Sequence, residues 1–400
     1  MSDLAHGARG CEVCGSRSRR VLFHQRFAGA PAGALLSGYD VAVCVDCGFG
    51  YADGLPAQRA FDEYYERMSK YEYAHQGGVQ VNFDAQRFPA AAAFIGAHAP
   101  DPGARILDVG CSNGGLLHAL QQSGYARLTG LDPSPACART AARLYGLRVV
   151  TGSLFAPPPD LGAQDLVLLA AVLEHVRDLR AALRRIRGLL APGGLLYLEV
   201  PDATRFSAAT DAPFQEFSVE HVNYFSTASL RNLLHAAGFD QIVAESTPMA
   251  QGESTIAHVI NAMFRMVADA PRPALARDTE TEPALAAYIG ASRAVEERIH
   301  AAIAPWVRSG RGIVVWGVGT HTQRLLATSA LAQAKIVAFV DSNARYQGKL
   351  MNGVPVLAPE ALRGRPEPIL ISSRFFQKEI ERQIRDTLRL GNELILLYDV

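Results

Sequence analysis

A doubly wound, mostly parallel α/β sheet, with a small cysteine-bearing module before it and a smaller α/β unit after it, is the fold class predicted for this 400-residue sequence. Three observations carry that expectation. Short apolar runs alternate with helical runs between residues 83 and 265, the signature of strand–helix–strand units. The first of those runs ends in a glycine turn, and a second turn of the same kind begins at Gly317. Two Cys-x-x-Cys pairs stand close together near the amino terminus.

Cys11-x-x-Cys14-Gly and Cys44-x-x-Cys47-Gly are matching knuckles separated by 29 residues. Two thiolates on one tight turn reach the same ion, and two such turns close a tetrahedral shell, so a structural zinc is expected at Cys11, Cys14, Cys44 and Cys47. Disulfides are the competing reading, but a reducing compartment keeps thiols free. With all four positions filled by protein, the ion holds the fold and does no chemistry. Cys111 and Cys137 fall outside the pattern and read as small core residues.

The run Phe61 to Gly78 places Phe61, Tyr64, Tyr65 and Met68 on one helical face, a core pattern. Tyr71 and Tyr73 lie past it, in a stretch ending in two glycines that reads as a flap. A helix follows from Phe83 to His98. Strands are then expected at 105–109, 128–131, 148–151, 165–170 and 195–200, with further strands at 241–245 and 255–260, the last antiparallel. Ligands of such sheets bind beyond the carboxyl ends of the strands. The stretch ILDVGCSNGGLL, Ile106 to Leu117, is a strand turning into a helix, where glycines admit a ligand to the backbone and the helix start offers free N–H donors. The second strand ends in Asp132, 24 residues after Asp108, where a carboxylate accepts both hydroxyls of a ribose. Together they describe a nucleoside site.

The pattern Asp108-x-Gly110-x-x-x-Gly114 differs from the G-x-G-x-x-G of dinucleotide folds. It resembles the first motif of the S-adenosylmethionine-dependent methyltransferases with a Rossmann-like (class I) sheet. The resemblance implies that Asp108, Gly110, Ser112 and Gly114 face the methionine part of the cofactor and that Asp132 holds its ribose. It further implies that Ser153 contacts the adenine and that Ala170 lies beside the cofactor, with His175 packing beside it or capping the turn. Some relatives of this class bind magnesium through E-x-x-E-H here. Ala171 occupies the first of those positions, so no metal is expected at Glu174-His175.

PFQEFSVEHVNYFS, Pro213 to Ser226, is where chemistry is expected. In a regular strand His221 and Glu220 face opposite ways, so only a bent backbone lets them act as a pair. After a linker at 268–276, residues 282–307 read as one or two helices. The carboxyl-terminal unit then runs IVVWGVGTHTQRLL and KIVAFVDSN, with Asp341 ending its second strand and a parallel sheet of about four strands. Thr322 replaces the third glycine there, leaving nucleotide binding, a buttressing role or a dimer contact open.

Two cysteine knuckles, a methyltransferase core with Glu-His before its penultimate helix, and a Rossmann-like tail together resemble the sugar C-methyltransferases, over nearly the whole chain. The resemblance implies a nucleotide-linked keto-deoxysugar (dTDP-type) as substrate. By the same resemblance His221 removes a proton beside the ketone. Glu220 is then placed to orient it or the substrate, and the enolate oxygen needs a donor, for which Tyr224, Asn223 or a flap tyrosine is a candidate. The tyrosine that some members carry shortly before the pair is absent: Phe217, Ser218 and Val219 stand there. The alternative is O- or N-methylation of a sugar or other small metabolite. The expected boundaries are 1–82 (zinc module and aromatic helix), 83–265 (methyltransferase), 266–310 (helical linker) and 311–400 (Rossmann-like tail). Zero formal net charge disfavours nucleic acid, no apolar run spans a bilayer, and the polar start MSDLAHGARG has no export-signal core, so a cytoplasmic small-molecule enzyme is expected. The sequence sets no oligomeric state.

Overall fold

The computed structural model describes residues 9–30, 35–67, 82–209, 212–250, 256–267 and 274–398. Contacts divide the chain into two units, and neither is continuous in sequence. The first comprises Met1–Leu22, Val41–Ala209 and Glu220–Leu285; the second takes Phe23–Asp40 and Thr210–Val219 together with Ala286–Val400. The amino-terminal strands β1 (Arg19–Arg26), β2 (Gly38–Cys44) and β3 (Gly50–Asp53) begin a small sheet of order β1-β2-β3-β9.

The core of the first unit is a seven-stranded sheet. In chain order its strands are β4 (Arg105–Val109), β5 (Arg127–Asp132), β6 (Val149–Thr151), β7 (Gln164–Ala170), β8 (Leu190–Pro201), β10 (Phe239–Ala250) and β11 (Ile256–Met266), the two-residue β9 (Asn223–Tyr224) belonging to the small sheet. Their spatial order is β10-β11-β8-β7-β4-β5-β6. β8, β7, β4, β5 and β6 are parallel, and β11 pairs antiparallel with both β8 and β10. Central strands covered on both faces need apolar side chains on both, and β7 supplies four consecutive fully buried residues, Leu166 to Leu169. Truncating one, as in Leu168→Ala, costs about 2–5 kcal/mol.

The helices packed on the sheet follow from the same economy of burial. In Leu179–Leu189 the buried residues Leu179, Ala182, Leu183 and Ile186 recur at helical spacing. Helix Pro135–Tyr145 starts with Pro at its first turn and with Ser134 accepting the Cys137 N–H, and ends at Gly146 in the left-handed conformation. Helix Gln58–Arg67 and helix Asn82–His98 precede β4. Tyr71 and Tyr73 lie outside the described residues.

The second unit carries its own sheet: β12 (Ile313–Trp316), β13 (Ile336–Val340), β14 (Leu350–Met351), β15 (Val354–Leu357), β16 (Ile369–Ile371) and β17 (Leu394–Leu396), in the order β14-β15-β13-β12-β16-β17. Six strands replace the expected four because a hairpin adds β14 antiparallel to β15. A single helix, Thr281–Ser309, covers the stretch read as one or two. In this unit Arg324 is buried over the Phe214 ring and pairs with Glu296 at 2.7 Å. Among the described residues no helix is long and apolar enough to cross a membrane.

Candidate active site

Four thiols meet in the first unit. Cys11 and Cys47 Sγ lie 3.4 Å apart, as do Cys14 and Cys44, and the four sulfurs lie within 4.8 Å of one another without any disulfide. Each knuckle closes by the same backbone bonds: Gly15 N–H donates to the Cys11 carbonyl, and Gly48 N–H to that of Cys44. Contact with Cys47 draws the Cys11 thiol down to about 6, whereas burial pushes Cys14 up to about 12. Four sulfurs this close cannot all ionise without a cation among them, and the donor set fits a tetrahedral metal ion.

A cavity of about 190 Å³ opens beyond the carboxyl ends of β4, β5, β6 and β7. Asp108, Gly110, Ser112, Asp132, Ser153, Ala170, His175 and Glu220 all line it. Gly110 has φ +76°, and a Cβ there would sit 2.8 Å from Val172 Cγ2, so only glycine fits between the turn and the opposite wall. Gly114 stands just behind the wall, capping helix Gly115–Gln122 at φ +79° against Leu147 and Ala141. Gly115 takes the wall position, where a Cβ would strike the Phe88 ring. Ser112 (φ +51°) and Ala171 (φ +58°) hold left-handed backbone without being glycine, and both line the cavity. Strain of this kind persists only where the surroundings impose it, and it gathers at ligand sites.

Asp132 is buried at the tip of β5 with one carboxylate oxygen on Ser112 N–H at 2.8 Å and the other on Ser134 N–H at 2.9 Å. Burial raises its carboxyl above the ordinary range despite these two donors. Asp108 lies deeper, and burial pushes it up to about 7, with Arg87 opposing and Asp132 and Glu199 adding to the rise. Arg87 also makes a buried ion pair with Glu199 at 2.6 Å. Neither Arg87 nor Glu199 was singled out from sequence. A charge such as Arg87 in a helical run reads as solvated until the fold shows it lining the cavity.

The backbone bends at Val219–Glu220, and strand geometry covers only Asn223–Tyr224. The bend brings the His221 ring to 5.0 Å from that of His175, while Glu220 reaches the cavity wall with its carboxylate accepting the Tyr64 hydroxyl at 3.0 Å. Tyr224 does not reach the cavity: it is fully buried, edge-on to Phe206. Asn223 is spent on structure, its amide donating to the Leu173 and Val176 carbonyls at 2.7 Å while its oxygen accepts from Arg9. Tyr65, read from sequence as a core residue with Tyr64, lines the cavity beside Gln58 and Asp62.

The second unit repeats the Asp132 arrangement, with Asp341 accepting from Val318 N–H at 3.1 Å and Asn343 N–H at 2.8 Å. Its turn is filled, however. The Thr322 hydroxyl donates to the Gly317 carbonyl at 2.7 Å and meets Ser372 Oγ, so side chains occupy the place where a third glycine would leave room.

Residues 83–244 match a family model described as a methyltransferase domain, and residues 310–395 match one described as C2185-like, N-terminal. The C-methyltransferase NovU of Streptomyces niveus is 25% identical over 317 residues, 73% of this chain and 71% of that protein. A ubiquinone biosynthesis O-methyltransferase of Xanthomonas campestris is 36% identical over 123 residues, 29% of this chain; the match spans about half (51%) of that relative's length. Among solved structures, the 1,6-didemethyltoxoflavin-N1-methyltransferase of Burkholderia thailandensis aligns over 56% of this chain and 97% of its own, at 22% identity and a TM-score of 0.41. The chain is an S-adenosylmethionine-dependent methyltransferase.

Proposed function

We propose that this enzyme methylates carbon, at the position beside the ketone of a nucleotide-linked keto-deoxysugar, with His221 as the base. The observation that supports the reading is the bend at Val219–Glu220: Glu220 lines the cavity, and the His221 ring stands 5.0 Å from that of His175, which also lines it. The likeness to the C-methyltransferase NovU over nearly three-quarters of the chain supports it. Asp132 holds the ribose of the cofactor, Ser153 the adenine edge, and the Gly110–Gly115 turn the methionine end.

When bound, S-adenosylmethionine supplies an already activated methyl group, so the protein need only align donor and acceptor and remove one proton. Imidazole has an ordinary pKa near working pH and suits that task. His221 takes the proton from the carbon next to the carbonyl. The C–H electron pair passes into an enolate, and that carbon then takes the methyl as the carbon–sulfur bond breaks, leaving S-adenosylhomocysteine. Glu220, steadied by Tyr64, orients the acceptor, and Tyr65 is the phenol on the wall suited to the enolate oxygen. The four thiolates hold a zinc ion that keeps the amino-terminal module folded.

Incubation with methyl-labelled cofactor and a panel of keto-sugar nucleotides, with the label located by NMR, tests the reading. Wild-type enzyme is expected to exchange the substrate C–H with solvent deuterium, and His221→Ala to lose exchange and turnover together. The local likeness to an O-methyltransferase favours a second reading, methylation of oxygen. Near-normal turnover by His221→Ala, with label on oxygen, decides for it.

A further inference from the structure

Behind the cavity wall, His175 packs against the buried Glu174. His175 Nδ1 lies 3.0 Å from the Glu220 carbonyl oxygen, which can only accept, so Nδ1 carries the hydrogen and donates. In the neutral ring the Nε2 lone pair then faces Glu174 Oε1 at 3.9 Å, beyond hydrogen-bond reach. Glu174 is 2% exposed, and its other oxygen, Oε2, is buried with no hydrogen-bond partner. Nitrogen atoms of His175 and His221 and an oxygen of Glu174 all lie within 4.8 Å of one another. A buried carboxylate oxygen without a hydrogen bond therefore stands beside two imidazoles, a costly arrangement that a cation would complete.

We propose that Glu174, His175 and His221 bind a divalent transition-metal ion. Two imidazoles and one carboxylate select zinc, iron(II), cobalt(II) or manganese(II) over magnesium and calcium, which take oxygen. An ion about 2.0–2.2 Å from each ligand atom draws them a few tenths of an ångström to an ångström closer than they stand. The His175 Nδ1–H bond to a backbone carbonyl is the outer contact that metal-bound histidines carry, fixing the tautomer with Nε2 inward. The sequence argued against a metal here because Ala171 lacks a ligand at the first position of E-x-x-E-H. The third ligand comes instead from His221, 46 residues after His175. A consequence rests on the reading of His221 as base: an imidazole that ligates a metal cannot take a proton, so occupation of this site switches turnover off.

The test uses the full chain with whatever ion the four thiolates hold left in place. Cobalt(II) is titrated in and followed by visible absorption, with melting temperature and circular dichroism as checks of fold. One equivalent should bind with d–d bands characteristic of nitrogen and oxygen ligands and no new sulfur charge transfer. Glu174→Gln and His175→Asn should each weaken it at least about tenfold. Absence of binding beyond the thiolates, or unchanged affinity in both folded variants, overturns the site. Zinc should inhibit wild-type turnover reversibly, with a weak chelator restoring it. Turnover that is unaffected or raised by the bound ion overturns the switch. Binding is read without substrate, so a methyl acceptor of another class would leave the metal result standing.

Discussion

Replacing Asp132 by Asn tests the cofactor site without any knowledge of the methyl acceptor. The carboxylate already accepts Ser112 N–H and Ser134 N–H, one on each oxygen, and the remaining acceptor capacity of a carboxylate serves two ribose hydroxyls. Asparagine keeps a single acceptor oxygen. Its NH₂ must then face either a backbone N–H or a hydroxyl, and one interaction with the ribose loses its charge and its acceptor. A hydrogen bond to a charged group contributes about 1.5–3 kcal/mol. At about 1.4 kcal/mol per decade, S-adenosylhomocysteine should bind about 10- to 150-fold more weakly. The backbone N–H left against the NH₂ should also lower stability by about 1–3 kcal/mol. Isothermal titration of S-adenosylhomocysteine against both proteins, with melting curves to verify the fold, reads the two effects separately. Burial raises the Asp132 carboxyl, so wild-type affinity should fall as the solution becomes mildly acidic and the acceptor is protonated, while the Asn variant stays flat. A folded Asp132→Asn protein with affinity within about threefold of wild type (under roughly 0.7 kcal/mol) would refute the ribose assignment and the nucleoside geometry built on it.

Four further outcomes follow from the same structure. Asp108 has a folded-state carboxyl near 7, above its ordinary value of 3.8, so its neutral form favours the fold. That contribution is complete below about pH 4 and is lost as pH rises through about 7. Asp108→Asn should therefore raise the melting temperature relative to wild type at pH 8 more than at pH 5, and an equal change at both pH values sinks the claim. Arg87→Met leaves Glu199 buried without its cation and should cost about 3–5 kcal/mol in urea unfolding, whereas a loss below about 1 kcal/mol would mean that the pair is solvated. Cys44→Ser should abolish stoichiometric zinc in elemental analysis and lower the melting temperature, and a metal-free protein of undiminished stability contradicts the thiolate site. His221→Ala should lower kcat by about 10²- to 10⁴-fold with S-adenosylhomocysteine affinity unchanged.

The fold was legible in the sequence where a local pattern and its tertiary use coincide. β4 and β7 are apolar because both of their faces are covered, and the glycine turn after β4 is glycine because Val172 crowds it. Asp132 and Ser112 were findable because spacing along a strand–turn–helix unit sets their positions. The elements that spacing misplaced are those whose surroundings come from far along the chain. Tyr65 has the periodicity of a core face, yet the wall it joins is built by residues up to 220. Tyr224 has the composition of a catalytic phenol, yet pairing of β9 with β3 buries it. The stretches Phe23–Asp40 and Thr210–Val219 belong to the second unit, with Gln25 Nε2 donating to the Phe217 carbonyl at 2.6 Å and Ala28 N–H to that of Gln323 at 2.9 Å. No periodicity within either stretch announces such a partner.

On the proposed reading, the short turn after β7 joins cofactor binding to acceptor chemistry. Val172 packs on Gly110 at one end, where the glycine turn opens. At the other, the Glu174 carbonyl accepts Val222 N–H at 2.8 Å, the carbonyls of Leu173 and Val176 accept the Asn223 amide, and His175 Nδ1–H donates to Glu220. Four hydrogen bonds therefore tie the bend carrying Glu220 and His221 to a turn that itself forms part of the cofactor wall. Arg9, buried and donating to the carbonyls of Val222 and Arg177 and to Asn223, fastens the amino-terminal module to the same junction. On that reading the base cannot drift independently of the methyl donor, and an in-line transfer loses rate steeply with about an ångström of misplacement. On this account the cysteine module, remote from the chemistry, acts on rate through Arg9: Arg9→Met should lower kcat more than it weakens S-adenosylhomocysteine, and an equal loss in both would place Arg9 in the general stability of the fold instead.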